Sequence, residues 1–318
     1  MDVTVVGGGS WGSVFAALLA ERGHAVTLAC RDPEEARVIA ATGRNPRYVS
    51  DCDLSGVHAA ALADAPLDGV DLVCLAVPSR AFREVAQGLP GDVPLLGLTK
   101  GLDPGSGERL SQVVQGRPVA VLSGPTHAEE IAQGLPAAAV IASEDKALAL
   151  ELQHAINSTR FRVYVNGDLV GVELCAAAKN VMALAAGGVD GFGFGDNAKS
   201  ALITRGLAEM ARLGEACGAR SETFAGLAGM GDLVVTCFSP YSRNRRAGEL
   251  IAQGHAPEDV EAEIGMVVEG LTTAPVLRDL SRRLGVELPL TEAICQVLAG
   301  TSATELVSRL MSRKPTDE

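Results

Sequence analysis

The chain opens on Val3-Thr-Val-Val-Gly7-Gly-Gly9-Ser10-Trp11-Gly12, a short apolar run that breaks on glycines and continues into Ser13-Val-Phe-Ala-Ala-Leu-Leu-Ala20. Few segments restrict a fold as strongly. A strand, a tight turn and a helix succeed one another here, with glycines spaced as Gly7, Gly9 and Gly12. The first permits the turn, the second lets backbone approach a pyrophosphate, and the third lets helix pack on strand, with the anion held at the helix N-terminus. Gly23 then ends the helix ahead of the next apolar run, which completes the expected unit. The competing reading, a glycine turn with no ligand, lacks a reason for all three positions.

Short valine-rich runs alternate with helical stretches as far as about Val165. The strand candidates are Val3–Val6, Ala25–Ala29, Val57–Ala61, Asp71–Val77, Pro94–Leu98, Val119–Leu122, Ala138–Ile141 and Phe161–Val165. Buried runs alternating with helices predict an α/β fold with a doubly wound, mostly parallel sheet of the Rossmann type, whose function sits at the strands' carboxyl ends. After Asn166-Gly167 such runs nearly vanish, and alanine- and leucine-rich helical stretches continue to the C-terminus. The expected division is a dinucleotide-binding domain over 1–166 and an all-helical substrate domain over 167–318. A length of 318 residues, 47% of them hydrophobic, is enough for two cores, and only 3% aromatic content makes those cores aliphatic. Glycine clusters at Gly187-Gly188, Gly191–Gly195 and Gly226–Gly231 are expected to interrupt the helices as loops facing the first domain, and the polar tail after Met311 to fray.

A net charge of -12 disfavours nucleic acid and anionic membrane as partners, so any anionic ligand must be held by a local cationic cluster. The seven cysteines are dispersed without a CxxC pair, which points to buried thiols in a reducing compartment and to no metal site. The N-terminus starts a strand without a basic leader, and charges break the long apolar runs. A cytoplasmic protein is expected.

The stretch from Gly171 to Gly187 is almost wholly apolar and carries Lys179 at its centre. An unpaired buried ammonium costs several kcal/mol, so this one needs a partner or a use, unless its stem lies on apolar surface and its head reaches water. Its helical neighbours at three and four residues, Cys175, Ala176, Met182 and Ala183, cannot neutralise it. Asp232, in Gly229-Met-Gly231-Asp232, is the best candidate partner. Near the ends of later strands stand Pro78-Ser79, Thr99-Lys100-Gly101 and Gly124-Pro125-Thr126-His127, small and polar residues that suit one shared ligand surface. Ser242-Arg243-Asn244 adds a basic, hydroxyl-bearing run fit for a phosphate. After the second strand Arg31 precedes Asp32, and a cation there favours a ribose phosphate, so NADP(H) should be accepted as well as NAD(H). Trp11 either packs under the turn or lies against the dinucleotide.

Together these segments, with Gly171–Cys175 through Lys179-Asn180 and Val268-Glu269-Gly270, resemble the bacterial NAD(P)-dependent glycerol-3-phosphate dehydrogenase family over nearly the whole chain. The resemblance implies reversible reduction of dihydroxyacetone phosphate to sn-glycerol 3-phosphate, which supplies the backbone of phospholipids. It implies catalytic roles for Lys179 as the proton-exchanging group, with Asp232 and Lys100 beside it. Substrate contacts carry over to Lys100, Gly124, Thr126, Lys179, Asp232, Ser242, Arg243 and Asn244. Cofactor contacts carry over to Ser10, Trp11, Arg31, Lys100, Ala128, Arg243, Val267 and Glu269, beside the glycines at 7, 9 and 12. Two departures are visible: Thr126 stands where serine is common, and Tyr48-Val-Ser-Asp51 differs from the usual pattern, which leaves nearby cofactor contacts open. The apolar helical faces could pair in a homodimer.

Two other readings compete. One is a related Rossmann dehydrogenase acting on a hydroxy acid or hydroxyacyl thioester, with a lysine, or a histidine such as His127 paired with an acid, as base. The other is a nucleotide-responsive binding module without turnover, in which Lys179, Asp232 and Arg243 are structural.

Overall fold

A computed structural model describes residues 1–302 and Glu305 of the chain; the tail after Met311 lies outside the described residues. The first half runs β1 (Asp2–Val6), α1 (Ser10–Glu21), β2 (Ala25–Cys30), α2 (Pro33–Thr42), β3 (His58–Ala61), β4 (Leu72–Leu75), α3 (Ser79–Gln87), β5 (Leu95–Gly97), α4 (Leu110–Val113), β6 (Val119–Ser123), α5 (Ala128–Ala132), β7 (Ala137–Ser143), α6 (Lys146–Ile156) and β8 (Phe161–Asn166). All eight expected strands form, and they make one sheet in the order β3-β2-β1-β4-β5-β6-β7-β8. From β1 the chain winds outward to β2 and β3, then returns to β4 on the other side. The crevice between the carboxyl ends of β1 and β4 is therefore the topological switch point, where doubly wound sheets take their ligands. Both α1 and α3 start there.

One pairing departs from the parallel pattern, because β7 runs antiparallel to β6 with Ser123 opposite Val140, before β8 resumes parallel pairing. A parallel return needs a crossover long enough to span the sheet, and α5 has only 5 residues. The reversal sets Gly124 against the next strand: its φ is +132°, and a Cβ would lie 3.0 Å from the Ala138 carbonyl oxygen.

The second half is helical: α7 (Leu169–Gly191), α8 (Gly195–Ala216), α9 (Ser221–Ala225), α10 (Asp232–Phe238), α11 (Arg243–Ala252), α12 (Val260–Ile264), α13 (Glu269–Leu284) and α14 (Pro289–Leu298). Asp168 caps α7 by accepting the Gly171 N–H. By length and apolarity α7 could cross a bilayer despite Glu173 and Lys179, but here it is the buried axis around which α8, α10, α11 and α13 pack. Leu102, Val121, Val140 and Ala142 of the sheet half join the same apolar core, so the halves share packing. The other face of the sheet and the α1 and α2 layer bury their own clusters.

Gly187-Gly188 does not interrupt α7, contrary to the expectation from sequence. Instead a Cβ at Gly187 would lie 1.8 Å from the Arg245 carbonyl oxygen, and one at Gly248 would lie 1.9 Å from that of Leu184, so α7 and α11 touch backbone to backbone. Gly191–Gly195 forms the α7–α8 turn, while 226–231 carries a π-helical turn at Leu227–Gly231 that abuts Pro125 of the sheet half. A π-turn adds a residue to the helical ladder and so re-aims the next side chain, here that of Asp232.

The two adjacent glycines of α7 should respond oppositely. Gly187→Ala should lower stability to urea by about 3 kcal/mol or more through overpacking. Gly188→Ala, where a Cβ meets nothing within 4 Å, should change it little or raise it by up to about 1 kcal/mol through helix propensity. Equal effects would show that the helix contact is not backbone-limited.

Candidate active site

Lys179 lies mid-way along α7 with 5% of its surface exposed, and its Nζ donates to Asp232 Oδ1 at 2.7 Å and to Thr236 Oγ1 at 2.8 Å. Asp232 is the first residue of α10 and is buried. Its second oxygen accepts from Lys100 Nζ at 2.8 Å. Lys100, in the loop after β5, also donates to the Gly124 carbonyl at 2.8 Å and to the Thr126 hydroxyl at 3.2 Å. One carboxylate thus joins a cation from each half of the molecule.

An ammonium has three hydrogens. Among the described residues Lys100 meets three acceptors and is fully committed, whereas Lys179 meets two and keeps one N–H for something else. Burial pushes the Lys179 pKa down to about 8, the Lys100 charge adds to that, and Asp232 offsets it only in part. Burial opposes ionisation of Asp232 as well, but Lys100 and Lys179 outweigh it and hold the carboxyl below its usual range. The cluster therefore carries a net positive charge around a proton that can move near neutral pH. Such a group suits proton exchange with a substrate oxygen.

His127 stands close by, but burial together with Lys179 and Lys100 lowers its pKa to about 4, which keeps it neutral. Its Nε2 is buried without a partner, and among the described residues no carboxylate bonds to it. The histidine–acid pair that the hydroxy-acid reading called for does not form.

On the helical side, Ser242 caps α11 by accepting the Arg245 N–H, Arg243 is exposed and donates to the Val267 carbonyl at 3.1 Å, and Asn244 is buried. Both ends of the Asn244 amide are engaged: Oδ1 accepts the Gly270 N–H at 2.8 Å, and Nδ2 donates to Asn180 Oδ1 at 3.0 Å. The Asn180 Nδ2 in turn donates to the Lys100 carbonyl at 3.1 Å. This amide chain ties α13, α11 and α7 to the loop that carries Lys100, and one Asn244 hydrogen stays available to a ligand.

On the sheet side the three glycines differ as a pyrophosphate cradle requires. A Cβ at Gly7 would lie 2.5 Å from the Ala76 carbonyl oxygen and one at Gly12 would lie 1.9 Å from that of Gly7, yet one at Gly9 would meet nothing within 4 Å. The space is open where a ligand must approach and closed where the turn must pack. Among the described residues no side chain caps the N-terminus of α1 at Gly9, which leaves its first N–H groups without a helical partner next to that space. These features fit a dinucleotide. The Trp11 ring packs on Phe15 and Phe161, with centroids 5.5 and 6.3 Å away, and its buried Nε1 lacks a partner among the described residues. Arg31 is exposed just beyond β2, Ala128 is buried at the start of α5, and the Glu269 carboxylate accepts from Ser79.

Two further residues, Thr236 and Asn45, emerge only in three dimensions, and two that the sequence had marked, Asn180 and Ser79, acquire their partners there. Thr236 orients Lys179, Asn180 holds the Lys100 loop, and Ser79 bonds Glu269. Asn45 is fully buried, and its amide donates to the Gly8 carbonyl at 2.7 Å while its oxygen accepts from Arg47 and Tyr48 N–H groups, which braces the glycine turn from the divergent loop. Thr236 sits one helical turn from Asp232, which is the one signal that points to it; Ser79 was marked only by its place at a strand end, and lone Asn45 carries no signal.

The fold and this site define a nicotinamide-dinucleotide-dependent dehydrogenase with a helical second half. A family model described as NAD-dependent glycerol-3-phosphate dehydrogenase N-terminus matches residues 2–149, and the corresponding C-terminus model matches residues 168–308. The chain belongs to that family. It is 46% identical to glycerol-3-phosphate dehydrogenase (NAD(P)+) of Moorella thermoacetica, over 100% of this chain and 97% of that protein. The like-named protein of Geobacillus thermodenitrificans is 45% identical over 98% of this chain and 95% of its own length. A crystal structure of glycerol-3-phosphate dehydrogenase from Coxiella burnetii superposes with a TM-score of 0.93 at 37% identity, covering 98% and 99% of the two chains.

Asp232→Asn leaves the buried Lys179 ammonium and the partly buried Lys100 ammonium without their carboxylate. At neutral pH this should cost about 3 kcal/mol of stability to urea. The loss should shrink as pH rises past about 8, because the folded-state Lys179 pKa is depressed below its unfolded value and the neutral amine needs no counter-charge. A loss independent of pH would mean that the carboxylate acts through packing alone.

Proposed function

We propose that this protein reversibly reduces dihydroxyacetone phosphate to sn-glycerol 3-phosphate with NADPH or NADH, providing the backbone of glycerophospholipids. The observation that carries the reading is the uncommitted N–H of a buried lysine with a pKa of about 8, at the junction of the glycine cradle's sheet and the helical half. The glycine positions 7, 9 and 12, with Ser10, Trp11, Arg31, Ala128, Val267 and Glu269, would hold the dinucleotide; when bound, its reduced nicotinamide supplies a hydride to the carbonyl carbon.

The chain's own part is charge and proton. As the carbonyl is reduced, negative charge grows on its oxygen, and the Lys179 ammonium both stabilises that charge and delivers the proton. Asp232 and Thr236 fix the direction of the amine. Lys100, locked by three acceptors, contributes a stationary positive charge that also depresses the Lys179 pKa. Arg243, with Ser242 and Asn244, would hold the phosphate, turning binding energy from that remote group into orientation at the carbon. Gly124 and Thr126 would line the carbonyl end.

A division near 166–167 into cofactor-binding and substrate-binding domains fits this allocation of roles. Seven free cysteines support a reducing, cytoplasmic setting. Met230, Val234 and Phe238 are exposed at helical spacing along α10 and the turn before it, and support a homodimer through the helical half.

Measuring cofactor absorbance with each reduced dinucleotide and dihydroxyacetone phosphate tests the reaction. Lys179→Ala should lose at least about a hundredfold in kcat with the fold intact. Turnover near wild type in that variant would remove Lys179 from the chemistry. In the wild type, reduction needs the ammonium, so its kcat should fall as pH rises through about 8, while the reverse oxidation needs the free amine and should rise across the same window. Arg31→Ala should lower the NADPH/NADH ratio of kcat/KM about tenfold; an unchanged ratio would detach Arg31 from cofactor choice.

A further inference from the structure

Residues 267–270 are held from several directions within four positions. The Val267 carbonyl accepts from Arg243 of α11, the Val268 N–H donates to Glu261 of α12 at 2.8 Å, and the Gly270 N–H donates to Asn244. These bonds stay inside the helical half. The Glu269 carboxylate alone crosses to the sheet half, where its two oxygens take the Ser79 backbone N–H at 2.9 Å and the Ser79 hydroxyl at 2.5 Å. Ser79 opens α3 at the carboxyl end of β4, on the rim of the switch-point crevice. A second, exposed tie lies beside it, Arg80 to Glu261 at 3.2 Å.

The contact reaches the site through two glycines. A Cβ at Gly101, the residue after Lys100, would lie 2.9 Å from Ser79 Cβ and 3.3 Å from Glu269 Oε2, so the Lys100 loop rests directly on the Ser79–Glu269 pair. A Cβ at Gly270 would lie 2.7 Å from the Asn180 carbonyl oxygen, next to Lys179 in α7. The pair is thus wedged between the two stretches of chain that carry the lysines.

We propose that residues 267–270 form an interdomain clasp and that Ser79 is the positioning residue that closes it on Glu269, fixing the spacing between the dinucleotide crevice and the lysine pair. The ionised carboxylate accepts both Ser79 donors more strongly than the protonated acid does. Arg80 of α3 and Arg243 of α11 are the charged groups bearing on it, and both favour the ionised form, against burial that raises its pKa. A misplacement of about an angstrom between reacting groups can cost roughly a hundredfold in rate, so a clasp of this kind bears on turnover without touching the substrate.

The inference rests on the dehydrogenase reading for its kinetic arm only. In Ser79→Ala, kcat should fall roughly tenfold, and the acidic limb of the kcat–pH profile should move to higher pH because Glu269 loses a bond to its charged form. Hydrogen exchange should quicken together in peptides covering α3 and the start of α13. Glu269→Gln, which keeps the side-chain volume, supplies the same exchange readout should Ser79→Ala fail to fold. Wild-type kcat with an unmoved acidic limb, or unchanged exchange at α13, would overturn the clasp. If the wild-type chain does not turn over the triose at all, the functional reading fails and the exchange result alone decides the clasp.

Discussion

The carboxylate of Asp232 is the point on which the molecule's two halves meet. It is shared by Lys100 from the sheet half and Lys179 from the helical half, at 2.8 and 2.7 Å. Two cations against one anion leave a surplus of positive charge in a buried place, an arrangement that costs several kcal/mol of desolvation. That surplus makes sense when an anionic phosphate and a developing alkoxide are what the site must receive. The same arrangement sets the direction of both pKa shifts: two cations hold the carboxylate ionised against burial, while burial and the Lys100 charge lower Lys179 and the shared carboxylate offsets them only in part.

Such a cluster works only if the halves cannot drift. Apolar residues from the sheet half, Val121 and Val140 among them, enter the core around α7. The glycine contact between α7 and α11 then lets two backbones approach closely enough for Asn244 to reach Asn180, and Asn180 to reach the Lys100 carbonyl. A single added methyl group at Gly187 or Gly248 would stand between these helices. Helix packing and active-site geometry are in this sense the same constraint.

Much of the fold was legible in the chain. All eight strands lie where the apolar runs predicted them: β4 and β5, buried on both faces, are apolar throughout, whereas β8 alternates, with Arg162 and Tyr164 exposed. The glycine cradle was legible for a steric reason, since no other residue fits at Gly7 or Gly12. Other features were not. The antiparallel β6–β7 pair depends on how far a helix of 5 residues can carry the chain, and apolar runs look alike in either direction. Gly187-Gly188 was misread as a helix break because glycine's low helix propensity and its use in close helix contacts leave the same mark in a sequence. Asn45 was invisible, and Ser79 was marked only by its place at a strand end, since an isolated polar residue gains meaning from what it bonds.

The sequence by itself determined the alternation of strand and helix, the cradle for a dinucleotide and the presence of a lysine that could not be left alone in an apolar helix. These arise from sterics and periodicity, which act over a few residues. Asp232, 53 residues away, was already the best candidate partner in the sequence; tertiary structure alone decided that this aspartate would be divided between two lysines, and that one N–H would be left over. The number and direction of hydrogen bonds at a buried amine depend on which helix surfaces come together, and that is set by packing over the whole chain rather than by any stretch of it.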